Sequence, residues 1–101
     1  MELTQDQQSI IMYWIKNNLV STPKINYDVD TSFIRRSFIE LYRFGFYIDN
    51  YTLNDILCEY GFVHGRITHD PYLNWNISSK SRAIQIYRSY LREQSKDWTY
   101  E

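Results

Sequence analysis

The sequence predicts a small α+β domain, and three observations carry that expectation. Gly45 and Gly61 each close a run of apolar residues at helical spacing. Thr4 and Gln7 match a capping box ahead of another such run, and two β-favouring segments, 62–67 and 72–77, flank a polar turn containing Pro71. A chain of 101 residues builds one modest core but not two, so residues 1–101 are expected to form a single domain.

Taken in order, the capping box opens a first helix over about 5–18, with Ile10, Ile11, Trp14, Ile15 and Leu19 on one face. Residues 20–30 hold Pro23 and alternating polarity, which reads as a linker with a short extended stretch. Asp30 or Thr31 caps a second helix that is expected to run through Arg43, with Ile34, Phe38, Leu41 and Tyr42 inward and Arg35, Arg36 and Arg43 off that face. Gly45 is expected to stop it in the left-handed conformation. After the apolar step Phe46-Tyr47-Ile48, a third helix begins at Asp49, Asn50 or Thr52, carries Leu53, Ile56, Leu57 and Tyr60, and stops at Gly61 for the same reason. The segments 62–67 and 72–77 read as a hairpin around Thr68-His69-Asp70-Pro71. Ser78 and Ser79 offer caps for a last helix over about 80–94, whose apolar face is Ala83, Ile84, Tyr87, Tyr90 and Leu91. A helix pair followed by a two-stranded ribbon is the skeleton of small winged-helix domains, which bind nucleic acid or protein and rarely catalyse.

Composition removes several function classes. Hydrophobic residues make up 44% and charged residues 23%, as in ordinary globular domains. Aromatic residues reach 18%, with ten tyrosines, and such rings serve both cores and recognition surfaces. Cys58 is the only cysteine, which excludes an internal disulfide, and with only His64 and His69 beside it no zinc-finger cluster can be assembled. The first residues are polar and acidic and no apolar run approaches a membrane span, so a cytoplasmic protein without a membrane partner is expected. No glycine-rich phosphate loop or calcium loop is present, and no cofactor or metal is expected. Neither His64 nor His69 has a nucleophile placed by a motif, and Cys58 on an amphipathic helix reads as a buried apolar side chain. An enzyme is therefore not expected.

The net charge of −1 is unevenly spread: residues 1–30 carry −2, residues 31–70 carry −1 and residues 71–101 carry +2. Arg88, Arg92 and Lys96 fall at i, i+4 and i+8 on the last helix, with Lys80 and Arg82 at its start and Arg66 on the hairpin. Such a stripe is either a solvated face or a contact for a phosphate backbone, with Tyr72, Trp75 and Tyr90 as rings on which bases stack unless they are core. Arg36 and Arg43 lie within reach of Glu40, so pairing along the second helix competes with phosphate contact. The third helix presents Asn54, Asp55 and Glu59, and carboxylates there oppose reading of a major groove.

The run Ser32-Phe33-Ile34-Arg35-Arg36-Ser37-Phe38-Ile39-Glu40, then Gly45-Phe46-Tyr47-Ile48-Asp49-Asn50, Leu57-Cys58-Glu59-Tyr60-Gly61-Phe62 and Asn74-Trp75-Asn76-Ile77-Ser78, resembles short proteins of phages and staphylococcal cassette elements. The chain departs from them in the basic pair Arg35-Arg36 and in Cys58-Glu59-Tyr60, where small residues are expected before Gly61. The resemblance implies a winged-helix fold and an accessory role in mobile elements, linked to single-stranded DNA and replication. Together these readings give a nucleic-acid-binding accessory protein, for single-stranded DNA, with Arg66, Tyr72, Trp75, Lys80, Arg82, Arg88 and Arg92 as its contacts. The alternative is a protein-interaction module, either an adaptor for a replication partner or a phage inhibitor of a host system.

Overall fold

The Thr4 hydroxyl accepts from the Gln7 amide at 3.1 Å and the Gln7 side chain accepts from the Thr4 amide at 3.0 Å, so the capping box forms and α1 runs over Gln5–Asn18. The structure, a computed structural model, describes residues 1–66 and 71–99, the last four as backbone. Beyond α1 the order is β1 (Ser21–Asp30), α2 (Thr31–Arg36), a π-helical turn (Ser37–Leu41), α3 (Asn50–Tyr60), β2 (Asn74–Ile77) and α4 (Arg82–Thr99). The domain is α+β, as expected.

Residues read as a linker thus form the longer strand. Alternation in Asn74-Trp75-Asn76-Ile77 sends Trp75 and Ile77 into the core, both fully buried, and the strand carrying them takes a backbone partner on each side. On one side β1 runs antiparallel, with Ser21 opposite Ile77, Asn26 opposite Trp75 and Asp30 opposite Asn74. The extra residues of β1 bulge out of register. Side-chain amides bridge those places: Asn26 donates to the Ile77 carbonyl at 2.9 Å and Asn74 to that of Val29 at 3.2 Å. On the other side the Asn76 amide donates to the Val63 carbonyl at 2.9 Å and the Gly65 amide to that of Asn74 at 3.0 Å, with His64 bridging to Trp75. A two-stranded ribbon is present, but its strands are β1 and β2. The expected pairing of 62–67 with 72–77 shrinks to this one bridge, and its turn, 67–70 with His69, lies outside the described residues.

The second helix also ends early. Asp30 caps α2 by accepting from the Phe33 amide at 2.8 Å, but α-helical bonding stops at Arg36 and Tyr42 is already extended. The wider π turn seats two neighbours, Ser37 and Phe38, in the interior together. Phe38 is the hub of the aromatic core, 5.1 Å from both Trp14 and Phe46 between ring centres, and the Ser37 hydroxyl donates to the Ala83 carbonyl of α4 at 3.2 Å. Gly45 follows this turn without a left-handed backbone, which corrects the expectation. A β-carbon there would stand 2.2 Å from the Phe38 carbonyl oxygen, so close approach, not φ, demands glycine. Gly61 is the left-handed stop, at φ 116°.

α3 packs on α2, while α4 packs on the π turn, α1 and α2. Asp49 caps α3 by accepting from the Thr52 amide at 2.7 Å. Hydrogen bonding from Thr52, side chain and then backbone, holds the Asp49 carboxyl below its ordinary value of 3.8, with the N-terminal amine and Arg35 adding to the effect. A depressed carboxylate stabilises the fold above its unfolded value and loses that contribution as pH falls through the folded one. Asp49→Ala is expected to lower stability by about 1 kcal/mol at neutral pH. Urea titrations should show the gap between variant and parent closing as pH drops below the ordinary aspartate value, and a gap that persists in strong acid refutes the assignment.

Candidate nucleic-acid interface

Trp75, expected as a stacking ring, is fully buried, which removes it from any surface. Its indole N–H donates to the Thr31 hydroxyl oxygen at 3.0 Å, that hydroxyl donates to the Asn54 carbonyl oxygen at 2.6 Å, and the Asn54 amide donates to the Pro71 carbonyl at 2.9 Å. The chain of bonds ties β2, α2, α3 and the entry to β2 at one point. Asn54, read from sequence as an exposed residue of α3, is buried in it.

Tyr72, three residues earlier, is 48% exposed. It lines a groove of about 400 Å³ together with Phe33 and Arg36 of α2 and Tyr87 and Leu91 of α4. Arg36 is available there because Glu40 is engaged elsewhere: Glu40 accepts the hydroxyl proton of Tyr87, and no ion pair joins it to Arg36 or Arg43. Burial, then this hydrogen bond, pushes the Tyr87 hydroxyl up to about 12, so it remains a donor through the physiological range. Asp30 also lines the groove, with its carboxylate engaged as the cap of α2. The pairing of Glu40 with Arg36 or Arg43, one of the two readings the helical spacing allows, is absent: Tyr87 takes the carboxylate from α4, and Arg43 lies past the end of the π turn.

The other predicted contacts do not converge. Arg82 lies in a different groove, of about 380 Å³, beside Tyr13, Asn17, Tyr42 and Ile86 between α1 and α4. Lys80 and Arg66 are exposed, Arg88 is half-buried, and exposed Arg92 donates to the Ser89 hydroxyl at 3.1 Å. The Lys96 side chain lies outside the described residues. Arg35 and Arg43 are occupied locally, Arg35 donating to the Ile48 carbonyl at 2.5 Å and lying 5.1 Å from the Tyr47 ring centre, Arg43 5.5 Å from that of Phe44.

Reactive groups are muted. Cys58 is exposed, against the expectation of burial, because the core face of α3 is taken by Leu53, Ile56 and Leu57. Partial desolvation, with the Asp55 charge adding to it, pushes its thiol up, which keeps it protonated and weakly nucleophilic. The His64 Nδ1 sits 2.7 Å from the Gly65 carbonyl and the ring meets Trp75 edge-on at 5.3 Å. Among the described residues no group of histidine, cysteine and carboxylate side chains is placed to hold a metal, and no helix is long and apolar enough to cross a membrane. No protein-family model, curated protein or solved structure matches the chain.

Proposed function

We propose that the chain is a winged-helix-like accessory protein of a phage or mobile element that holds single-stranded nucleic acid, DNA foremost, in the groove between α2, Tyr72 and α4. The observation that carries the reading is the shared groove of an exposed tyrosine ring and Arg36, whose natural helical partner Glu40 is engaged by Tyr87. A ring for stacking and a guanidinium for the backbone are the two elements of sequence-tolerant single-strand binding. Arg92, exposed on α4 one residue past Leu91, is outside the groove lining and serves in this reading as a second backbone contact. Support for the winged-helix assignment comes from the order helix, strand, helix, helix, then two antiparallel segments, with β2 between β1 and residues 63–65. A duplex is disfavoured, since α3 exposes Asp55 and Glu59 where a recognition helix presents its readers.

In fluorescence anisotropy with a labelled single strand, the parent protein is expected to bind at low salt. Tyr72→Ala is expected to lower affinity by about 1–3 kcal/mol with little change in salt dependence. Arg36→Gln and Arg92→Gln should each flatten the salt slope by about 0.7. Melting temperatures should stay close to the parent's, because all three side chains are on the surface. A parent that binds no strand at low salt refutes the reading. In that event the protein-interaction reading takes its place, favoured by the acidic surface of α3.

A further inference from the structure

The segment 1–3 lies at the start of α3, where the Thr52 hydroxyl donates to the Met1 carbonyl at 3.5 Å, and is held by the packing of Leu3 against the core and by the Gln8 side-chain amide donating to the Leu3 carbonyl at 3.4 Å. Between it, α1 and α3 runs a groove of about 420 Å³. α3 contributes Thr52, Asp55, Ile56 and Glu59, which at i, i+3, i+4 and i+7 form one continuous stripe, and α1 contributes Gln8, Ile11 and Met12, which do the same. The apolar part of the lining is Leu3, Ile11, Met12 and Ile56, all buried or half-buried, and both methionines of the chain line the groove. The rim carries Glu2, Asp55 and Glu59 and no lysine or arginine, and the one cation beside it, the Met1 ammonium, is taken up by Asp49 at 3.9 Å. Asp55 and Glu59 are exposed and accept no ion pair from any described cation.

We propose that this groove is the docking site for one cationic amphipathic helix of a partner protein. Charge complementarity selects the occupant. Three carboxylates around a narrow apolar floor repel nucleic acid and acidic peptides, and they attract a helix whose leucine-like face fills the floor while lysines on its flanks reach the rim. Flexible methionine adapts the floor to side chains of different shape. Two stripes of helical side chains, one from α1 and one from α3, offer the kind of furrow into which a third helix packs. A partner bound here leaves the groove of Tyr72 and Arg36 uncovered, because no residue lines both. The site is thus independent of the proposed strand-binding groove, and each can fail without the other.

The probe is a fluorescein-labelled peptide of eighteen residues built only of leucine and lysine in amphipathic helical order, with its leucine and glutamate counterpart as control. The cationic peptide is expected to bind the full chain with micromolar affinity and the acidic one not at all. Glu59→Lys should weaken binding at least fivefold, and Asp55→Lys with Glu59→Lys at least twentyfold. Asp28→Lys, an exposed carboxylate outside the groove, should change it less than twofold. Met12→Ser should weaken binding even at high salt, where charge is screened, which separates docking from mere attraction. Circular dichroism of each variant verifies the fold, and oligonucleotide affinity should be unchanged by Glu59→Lys. Equal binding by the Asp28 and Glu59 variants, equal binding of the two peptides, or self-association of the parent that Glu59→Lys abolishes would each overturn the assignment.

Discussion

Trp75→Ala is expected to lower the stability of the domain by about 3–5 kcal/mol, a large share of what a domain this size possesses. Two losses combine. The largest fully buried side chain leaves a cavity between β2 and the helices, and Thr31 loses the indole donor that anchors it beneath Leu73 and Asn54. Trp75→Phe separates them, since it keeps most of the volume and removes the donor, and should lower stability by about 1–2 kcal/mol. Urea denaturation followed by circular dichroism measures both. A Trp75→Ala protein as stable as the parent but weaker in binding oligonucleotide would return the ring to the surface and overturn the core assignment.

Gly45→Ala is expected to be the more harmful of two glycine substitutions, at about 1–3 kcal/mol or more, against about 1 kcal/mol for Gly61→Ala. The reasons differ. At Gly45 the added methyl meets the Phe38 and Tyr42 carbonyl oxygens, at 2.2 and 3.0 Å, both of them backbone, so the π turn and the aromatic hub above it must shift. At Gly61 nothing lies within 4 Å, and only the backbone at φ 116° is strained by a side chain. Denaturation midpoints of the two variants decide the order. If Gly45→Ala melts with the parent, the close approach to the π turn does not exist.

The candidate site was only partly legible in the sequence. Tyr72 stands exposed, as a stacking ring requires, yet helical spacing sets its groove partner Arg36 against Glu40 as readily as against a phosphate. Spacing along one helix cannot register Tyr87, which is 47 residues away and takes the carboxylate. Trp75 was ambiguous for a related reason. A tryptophan in a short alternating segment is core or surface according to which face of the strand the helices cover, and the cover comes from elsewhere in the chain.

What the sequence determined by itself is what neighbouring residues decide among themselves. The Thr4–Gln7 box, the Asp30 and Asp49 caps and the Gly61 stop each close a hydrogen-bonding requirement within three or four residues, so α1, α2 and α3 begin, and α3 ends, where local chemistry puts them. The tertiary structure decided the rest. β1 contains Pro23 and polar residues and becomes a strand because β2, some fifty residues later, needs a partner for its backbone while Trp75 and Ile77 enter the core. The π turn and the need for glycine at position 45 arise from seating Ser37 and Phe38 against α4, Trp14 and Phe46. Pairing and packing of this kind satisfy groups far apart in the chain, and no local propensity encodes them.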